Sequence, residues 1–565
     1  MTTAPRPDRR HIKVSAYALV LLTLGAVMAA RFWPVPRDQM IPRLLENTRF
    51  AAPPPAPSTS DFVATLWTDL WGPTGEAFWR AMVPNQAGVL WIALAVMLTV
   101  AFDYARPKSA RNFELIALLA IGFLLFNIMR FFALLGDPTY FWLMDLVFTG
   151  IVAVSLSLLA LAIWRVRRPH TTPWEPNLPA RALMVLTVLL LTMNVITGLA
   201  SPPDDAGFYT NLGAQRLRER GKFPYGDPLL TNSAGAGYGP LLYLGHLPFQ
   251  LMLDPKPNNT TAPNRAELEQ GAVYYLPPLL ATKLTTVAFH LIGVASLVTI
   301  GLTLATPAVA WGMAALYCGS AYVMGVGGPR ETIGGMTFIS HIAPPAISML
   351  AFAFLARPLA AGALLVAASA TVFFPVLFFP AWLGYYWDRR SSAIRFVAGC
   401  AIAAVLLGVP VVMMSQALEG HSVLGTVIRE SVGHHQGTDT YGLSTFGFWG
   451  QRGGIRDWFR EPFVEGQFTT SPMFLITIGF SAALFFVARK TTPAQLALLT
   501  ATVGIIAQWS KIHGTGVYVN WYYPFLLIGL LAARPESAAS ASELPPLEHR
   551  DDPARAVRAA QHVDQ

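Results

Sequence analysis

Residues 182–200 read ALMVLTVLLLTMNVITGLA, an apolar run without a single charged side chain. A helix of about 20 apolar residues is long enough to cross the hydrocarbon core of a bilayer. Arg181 precedes the run, and Pro202 and Pro203, which interrupt helices, follow it closely. The run therefore predicts a transmembrane helix, and similar runs elsewhere in the chain predict that the helix is one of many.

The composition of the whole chain agrees with a membrane protein. Of its 565 residues, 53% are hydrophobic and 13% are charged, about half the ~25% charge of an ordinary soluble domain. The net charge of +8 comes from Lys and Arg residues that lie between apolar runs and form no stripe of their own, which argues against a nucleic-acid partner. Cys318 and Cys400 lie within apolar runs and offer neither a disulfide framework nor a metal quartet.

The apolar runs predict an all-α polytopic membrane protein with about 14 transmembrane helices. The run 358–387 contains Pro375 and Pro380, so it predicts two short helices, 358–371 and 373–387, that meet near Thr371. The first run, 14–30, follows four basic residues and fits either an uncleaved anchor, which we favour, or a signal peptide. The remaining runs are 88–103, 114–135, 140–164, 273–302, 305–325, 335–356, 394–415, 471–488, 493–510 and 518–533.

The Lys and Arg residues of the short loops orient these helices, because such loops are usually cytoplasmic. They predict a multi-pass protein of the cell membrane with both termini in the cytoplasm. The long polar segments 31–87, 201–272 and 416–470 then lie on the extracytoplasmic side. Lys511 and His513 also fall outside, against the charge bias, and a bound ligand would explain them better than membrane insertion does.

The most informative polar stretch begins just after residue 200. Asp204 and Asp205 are adjacent, and two neighbouring carboxylates tend to raise one pKa, which suits a general base. The alternative is an ordinary solvated helix cap. Residues 208–220 form an amphipathic pattern that predicts a helix on the membrane surface. The turn-rich FPYGDP at 223–228 and the string YGPLL at 238–242, which would re-enter the bilayer, come next.

The order of these motifs resembles the GT-C superfold of membrane glycosyltransferases, in particular bacterial polyprenyl-phosphate-sugar-dependent mannosyltransferase-like proteins. Members have an outer-loop catalytic Asp, a Tyr, a surface helix, a "G..pY.dP" turn and a "YPPl" re-entry. The matching positions here are Asp205, Tyr209, 214–217, 221–228 and 238–240. The short-helix pair with Phe374-Pro375 and the late string Asn520-Trp521-Tyr522-Tyr523-Pro524 also look like the family.

The resemblance covers roughly 182–533 and departs from the family pattern in two places. Four predicted spans precede the Asp, and the "YPP" string is Tyr-Gly-Pro here. The resemblance therefore divides the chain into an N-terminal four-helix membrane extension (1–180, with the outer loop 31–87), a GT-C-like transmembrane catalytic module (181–533) and a disordered cytoplasmic tail (534–565).

The resemblance implies an extracytoplasmic active site without a cofactor. A polyprenyl-phosphate-linked sugar would be the donor, a lipid or glycan would be the acceptor, membrane lipids would surround the protein, and transfer would invert the anomeric carbon. Asp205 would be the general base, with Asp204 as the second candidate. Aromatic and outer-loop polar residues would bind the substrates: Tyr209, Tyr225, Tyr238, Arg330, Glu331, His341, His434, His435, Lys511, His513, Trp521 and Tyr522.

Three other interpretations stay open. His434, His435 and Asp439 could bind a divalent metal, although no third histidine or cysteine ligand is near. Lys283 and His290 are ionisable residues seven positions apart at membrane depth, and they also suit a proton-coupled transporter or a flippase of envelope precursors. A non-catalytic scaffold would not require the Asp pair and the outer cations to converge. Large outer loops and the lack of a visible repeat favour the enzyme over the transporter.

Overall fold

The structure is a computed structural model, and it describes residues 50–51, 86–132, 141–167, 175–201, 203–227, 230, 236–253, 274–275, 278–327, 332–333, 335–433, 472–509 and 518–532. The predicted first span (14–30) and the predicted tail (534–565) lie outside these residues. Within them, two pairs of two-residue strands accompany the helices. β1 (Phe50–Ala51) pairs in parallel with β2 (Tyr274–Tyr275), and β3 (Val326–Gly327) pairs antiparallel with β4 (Thr332–Ile333).

The described chain is otherwise helical. Its α-helices, in order, are α1 (Gln86–Val100), α2 (Ala110–Phe132), α3 (Phe141–Arg167), α4 (Ala180–Ala200), α5 (Asp205–Arg220), α6 (Pro240–Leu253), α7 (Leu279–Leu304), α8 (Pro307–Cys318), α9 (Ala321–Met324), α10 (Ile339–Ala353), α11 (Pro358–Val372), α12 (Phe379–Trp387), α13 (Arg390–Met413), α14 (Val423–Ile428), α15 (Pro472–Val487), α16 (Pro493–Trp509) and α17 (Tyr523–Leu531). Short 3₁₀ segments lie at Gly335–Thr337, Phe374–Phe378 and Tyr518–Trp521, and Arg429–Gly433 forms a π-helical turn.

Four described helices are long and apolar enough to cross a membrane: α3 over Thr149–Arg167, α4, α7 and α13. Several shorter apolar helices accompany them. The outer faces of these helices are apolar as well, since Ile394 and Leu406 of α13 keep 68% and 67% of their surface exposed. Large apolar side chains at the surface of a bundle suit a lipid environment. The apolar helices therefore indicate a helical, membrane-associated protein, and the count of 14 spans stays a prediction.

The pair of short helices predicted in 358–387 is confirmed. α11 ends at Val372, the 3₁₀ segment Phe374–Phe378 contains Pro375, and α12 follows directly. A proline cannot donate the backbone hydrogen bond that a continuous helix would need at this position. The chain therefore turns back here, and the turn forms the tip of the short-helix pair.

The predicted span 305–325 is divided, which the sequence analysis did not anticipate. α8 ends at Cys318, and the four-residue α9 begins after Ser320, whose hydroxyl accepts a hydrogen bond from the Val323 amide. Asn194 of α4 donates from Nδ2 to the carbonyl oxygen of Cys318 at 3.0 Å. A polar side chain of a neighbouring helix thus satisfies a carbonyl at the break, as broken helices in membranes require.

Hydrogen bonds between the connecting segments define the two ends of the bundle. At one end, which we call the site end, α4 ends and α5, α6, α7 and α10 begin. The opposite end is tied by Asn177 Nδ2 to the Phe102 carbonyl (2.9 Å), by Gln495 Nε2 to the Val166 carbonyl (2.8 Å) and by the Arg489–Asp388 ion pair (2.9 Å). The loops that the sequence predicts to be cytoplasmic lie at this opposite end.

Candidate active site

The corner between α4 and α5 holds the carboxylate pair. Asp204 is the N-cap of α5, and its Oδ1 accepts a hydrogen bond from the Gly207 amide at 2.9 Å. Its own amide donates to the Thr337 carbonyl at 3.0 Å, and only 6% of Asp204 is exposed. Asp204 is therefore a helix cap, as the alternative interpretation held, but a buried one. Asp205 opens α5, and its side chain lies outside what the structure describes.

The first turns of α7 pack against this corner. Thr282 Oγ1 donates to the Gly207 carbonyl at 3.1 Å, and Lys283 Nζ donates to the Leu199 carbonyl at 2.8 Å. A cation at the C-terminus of a helix is favourable, because the free carbonyls there carry partial negative charge. Lys283 thus lies at the site end, on the corner between α4 and α5.

His290 lies deeper in the bundle and has partners of its own. It is fully buried, with Nε2 3.4 Å from Asn194 Nδ2 and its ring stacked on Tyr317 at 5.8 Å. Lys283 and His290 therefore have different hydrogen-bond partners, and a cavity lined by both stays a prediction.

Helix α5 confirms the predicted helix at 208–220 but is not a solvated surface helix along its length. It packs against α6 and α7, and Arg216 is almost fully buried. The guanidinium of Arg216 donates to both oxygens of Asp227, from Nε at 2.7 Å and from Nη2 at 2.9 Å. This bidentate pair is a fixed link between the helix and the turn that follows it.

The turn at 221–227 is bound to the segment that follows α13. Phe223 donates its amide to the Met414 carbonyl (2.8 Å), and Gln416 donates its amide to the Tyr225 carbonyl (3.0 Å). Gly226 has a positive φ of 75° and donates its amide to Glu430 Oε2 at 2.5 Å. Two segments that the sequence analysis placed in separate outer loops therefore form one unit.

Tyr225 lies inside this unit and is fully buried. Its hydroxyl donates to the Tyr238 carbonyl at 2.6 Å, and burial raises the pKa of Tyr225 well above its usual range. These contacts give Tyr225 a packing role, and its substrate contact stays a prediction. Tyr238 is partly buried and packs against the apolar cluster that contains Tyr225.

The string Tyr238-Gly239-Pro240 lies against the tip of the short-helix pair. Gly239 donates its amide to the Thr371 carbonyl at 2.8 Å. A Cβ at position 239 would overlap the carbonyl oxygen of Ala370. Backbone approaches backbone so closely here that glycine is required at position 239.

Gly239→Ala is therefore expected to destabilise the protein by about 1–3 kcal/mol, as overpacking of a close contact typically does. The thermal midpoint of the purified protein in detergent would fall. Gly408 of α13 is the matched control, because a Cβ there meets no atom within 4 Å. Gly408→Ala should stabilise the helix by up to about 1 kcal/mol. A fall of equal size in both variants would contradict the close contact at Gly239.

A continuous row of rings connects the carboxylate corner to the short-helix pair. The aromatic row consists of Phe338, His341, Tyr518, Trp521 and Phe374, with successive ring centroids 5.1, 4.9, 4.2 and 3.7 Å apart. Trp521 and Phe374 are stacked within 11° of parallel. Because Phe338 directly follows Thr337, which binds Asp204, the row begins at the carboxylate corner.

The main chain holds the aromatic row in place. Asn520 Nδ2 donates to the His341 carbonyl at 2.8 Å, and Trp521 Nε1 donates to the Ser340 carbonyl at 3.3 Å. His341 and Trp521 are buried, so their rings contact the row rather than an open cleft.

Tyr522 lies outside the aromatic row. Tyr209 is the predicted aromatic residue nearest to Asp205 in the sequence. Tyr522 is fully buried beside Gln508 of α16 and Ser155 of α3, so it packs between helices, and its substrate contact stays a prediction. Tyr209 is partly buried, with its ring edge against Phe208 at 5.4 Å.

The outer-loop cations and histidines cannot be placed in the same way. Arg330, Glu331, His434, His435, Asp439, Lys511 and His513 lie outside the described residues. Whether the outer cations converge on Asp205 therefore stays a prediction. Among the residues that the structure does describe, no three His, Cys, Asp or Glu side chains form a metal-binding group.

Sequence reasoning missed Glu430 and Thr337. Glu430 reaches Gly226 from another loop, and Thr337 contributes a backbone carbonyl, so neither leaves a local signal. A partial signal existed for Arg216, since Asp227 lies in the turn that follows the same helix.

No family model, no curated protein and no solved structure matches this chain. The site end combines two adjacent aspartates at a helix N-terminus, a lysine ammonium, an aromatic row and partly buried tyrosines within an apolar helical bundle.

Proposed function

We propose that this chain is an integral membrane glycosyltransferase that moves a sugar from a polyprenyl-phosphate donor to a lipid or glycan acceptor on the extracytoplasmic side. The observation that carries the proposal is the meeting of three distant strings at the site end. Asp204-Asp205, the tip of the short-helix pair and Asn520-Trp521 are linked through Thr337 and the aromatic row. These are the strings on which the family resemblance rests.

The proposed chemistry needs few groups. The acceptor hydroxyl attacks the anomeric carbon, the bond from that carbon to the phosphate oxygen breaks, and polyprenyl phosphate leaves. The carboxylate of Asp205 takes the hydroxyl proton, a task that requires hydrogen-bond reach. Asp204 already uses one carboxylate oxygen to cap α5, so it is the weaker candidate. Donors at the membrane boundary would stabilise the departing phosphate, and Arg330 and Lys511 are the proposed cations.

The sugar contacts are proposed for the partly buried aromatic residues. Tyr209 and Tyr238 are only partly buried, whereas Tyr225 and Tyr522 are enclosed by their neighbours. Aromatic rings with one polar end suit a ligand that has both apolar faces and hydroxyl groups. The bundle itself would hold the polyprenyl chain at lipid level.

The decisive experiment uses membranes that contain the full chain and a panel of radiolabelled polyprenyl-phosphate sugars. One donor should be consumed, with the label appearing in a new product and free polyprenyl phosphate appearing in equal amount. If folded, correctly inserted protein consumed none of the donors, the proposal would be rejected.

A transporter or flippase is the second candidate, and two observations favour it. The break between α8 and α9 lies beside Asn194, and the fully buried His290 contacts the same Asn194. Broken helices and buried histidines are typical of transporters. The same assay separates the two functions, because a flippase would move the labelled donor across the bilayer with its sugar–phosphate bond intact.

The proposed orientation predicts which residues can be reached from outside the cell. A membrane-impermeant maleimide should label Ser233→Cys, in the predicted outer segment 201–272, and should not label Ser391→Cys. Ser391 is exposed at the opposite end of the bundle, so its protection would come from the membrane alone. Both native cysteines are buried and should react little. The reverse labelling pattern would place the candidate site in the cytoplasm.

A further inference from the structure

The end of the bundle opposite the site carries an unusual group of basic residues. We define the arginine patch as Arg357, Arg389, Arg390 and Arg395, all of which are exposed. Tyr386 donates its hydroxyl hydrogen bond to the Leu355 carbonyl at 2.6 Å, which ties the turn before α11 to the end of α12. α13 begins directly after that end and packs along α11. The four arginines therefore belong to one region of the surface.

In the described residues no carboxylate pairs with the arginine patch, whereas three other arginines of this end are paired. Arg106 pairs with Asp103, Arg165 pairs with Glu114, and Arg489 pairs with Asp388. No described carboxylate lies within ion-pair distance of the four patch residues. The guanidinium groups of Arg357 and Arg389 instead lie over the rings of Phe354 and Tyr385, at 5.8 and 5.7 Å.

The position of the arginines makes this excess charge costly. Arg357 and Arg389 are the N-cap residues of α11 and α13, and neither helix has an acidic residue in its first turn. Helix N-termini carry partial positive charge, so cations there are unfavourable. An external anion would relieve both the helix ends and the mutual repulsion of the arginines.

The surface next to the arginine patch is apolar. Leu359 of α11 and Ile394 and Val397 of α13 are 48%, 68% and 43% exposed. An anion that binds at the arginines while covering these side chains must itself have a charged head and apolar tails. Clusters of Lys and Arg at the membrane boundary are the usual sites for anionic lipid headgroups.

We propose that the arginine patch binds the phosphate of an anionic phospholipid, whose acyl chains lie along the exposed apolar faces of α11 and α13. This site is separate from the proposed active site and does not depend on the proposed function. Because it lies at the opposite end of the bundle, the lipid would come from the leaflet facing away from the site end.

The test is a binding titration with the purified full-length protein in a nonionic detergent. Fluorescent phosphatidylglycerol should bind more tightly than fluorescent phosphatidylcholine, which differs in net headgroup charge. The triple variant Arg357→Gln/Arg390→Gln/Arg395→Gln should lower the affinity for phosphatidylglycerol at least about tenfold, since each arginine contributes roughly fivefold near a charged surface. Phosphatidylcholine binding should be unchanged.

A control variant separates a specific site from general positive charge. Arg106→Gln/Lys108→Gln/Arg181→Gln removes the same charge from exposed residues of the same end. It should change the affinity for phosphatidylglycerol less than about twofold. The triple lysine variant of the arginine patch keeps the charge and should retain the preference, which also shows that substitution does not unfold the protein.

Three results would overturn the proposal. The first is equal binding of both lipids by the wild-type protein, and the second is a loss of affinity in the control variant as large as that in the patch variant. The third is complete displacement of phosphatidylglycerol by inorganic phosphate at the concentration of the lipid, which would identify a small-anion site instead of a lipid site.

Discussion

Asp205→Asn is expected to lower the turnover of the polyprenyl-phosphate donor by roughly 10²–10⁴, the usual cost of losing a general base. The amide has the shape of the carboxylate but cannot accept the acceptor's proton at neutral pH. Donor binding should survive, because the proposed contacts of the phosphate and the lipid are with other residues. The measurement is the initial rate of product formation at saturating donor, together with the thermal midpoint of the purified variant.

Asp204→Asn is the matched control for this prediction. Asn caps helices about as well as Asp, so the hydrogen bond from the Gly207 amide should be kept and the protein should stay folded. Its effect on turnover should be small if Asp204 is a cap and Asp205 is the base. Equal and mild losses in the two variants would remove the base from the Asp pair, and a larger loss in Asp204→Asn would move the base to the neighbouring residue.

The sequence predicted those helices whose signal is local. Apolar runs such as 182–200 and 394–415 appear as the long helices α4 and α13, because length and hydropathy suffice to predict a helix in lipid. Pro375 and Pro380 likewise predicted the break in 358–387. The break after Cys318 could not be predicted in this way, since the surrounding run is apolar and the stabilising Asn194 lies 124 residues away.

Helix α6 is a second element whose packing could not be predicted from its own sequence. Pro240–Leu253 contains Pro248 and the polar residues His246 and Gln250, and it lies within the segment 201–272 that the sequence predicts to be outside. Gln250 Nε2 donates to both the backbone and the side-chain oxygen of Asn211, at 2.7 Å each. Packing against α5 therefore provides the polar partners that a lone helix of this sequence would lack.

The candidate site was predictable to a similar degree. The Asp pair and the late Asn-Trp string could be found from their order in the chain, and the two strings do lie at the same end of the bundle. The burial of Arg216 could not be anticipated, because an arginine on an amphipathic helix is normally solvated. Burial of this arginine depends on Asp227, and the position of Asp227 depends on the contacts of the turn with Met414 and Glu430.

The buried Arg216–Asp227 pair leads to the second large expected effect. Asp227→Asn should reduce the free energy of unfolding by about 3–5 kcal/mol, because it leaves the Arg216 guanidinium buried without its counter-charge. The exposed pair Arg489–Asp388 is the matched control, with side chains 42% and 35% exposed. Asp388→Asn should cost less than about 1 kcal/mol, since water already solvates both groups. Denaturant unfolding of the purified proteins in detergent measures both changes.

A double substitution separates two contributions to the free energy of unfolding. One is the net contribution of the Arg216–Asp227 pair, and the other is the cost of a buried charge without its counter-charge. Arg216→Met/Asp227→Asn removes both charges with little change in volume, so it should be clearly more stable than Asp227→Asn alone. Turnover need not follow stability, because the pair also fixes the 221–227 turn against α5. A stable double variant with reduced turnover would mean that the ion pair sets the geometry of the site end. If the double variant were instead as unstable as Asp227→Asn, the stranded-charge explanation would be wrong, and the hydrogen bonds themselves would have to hold the turn.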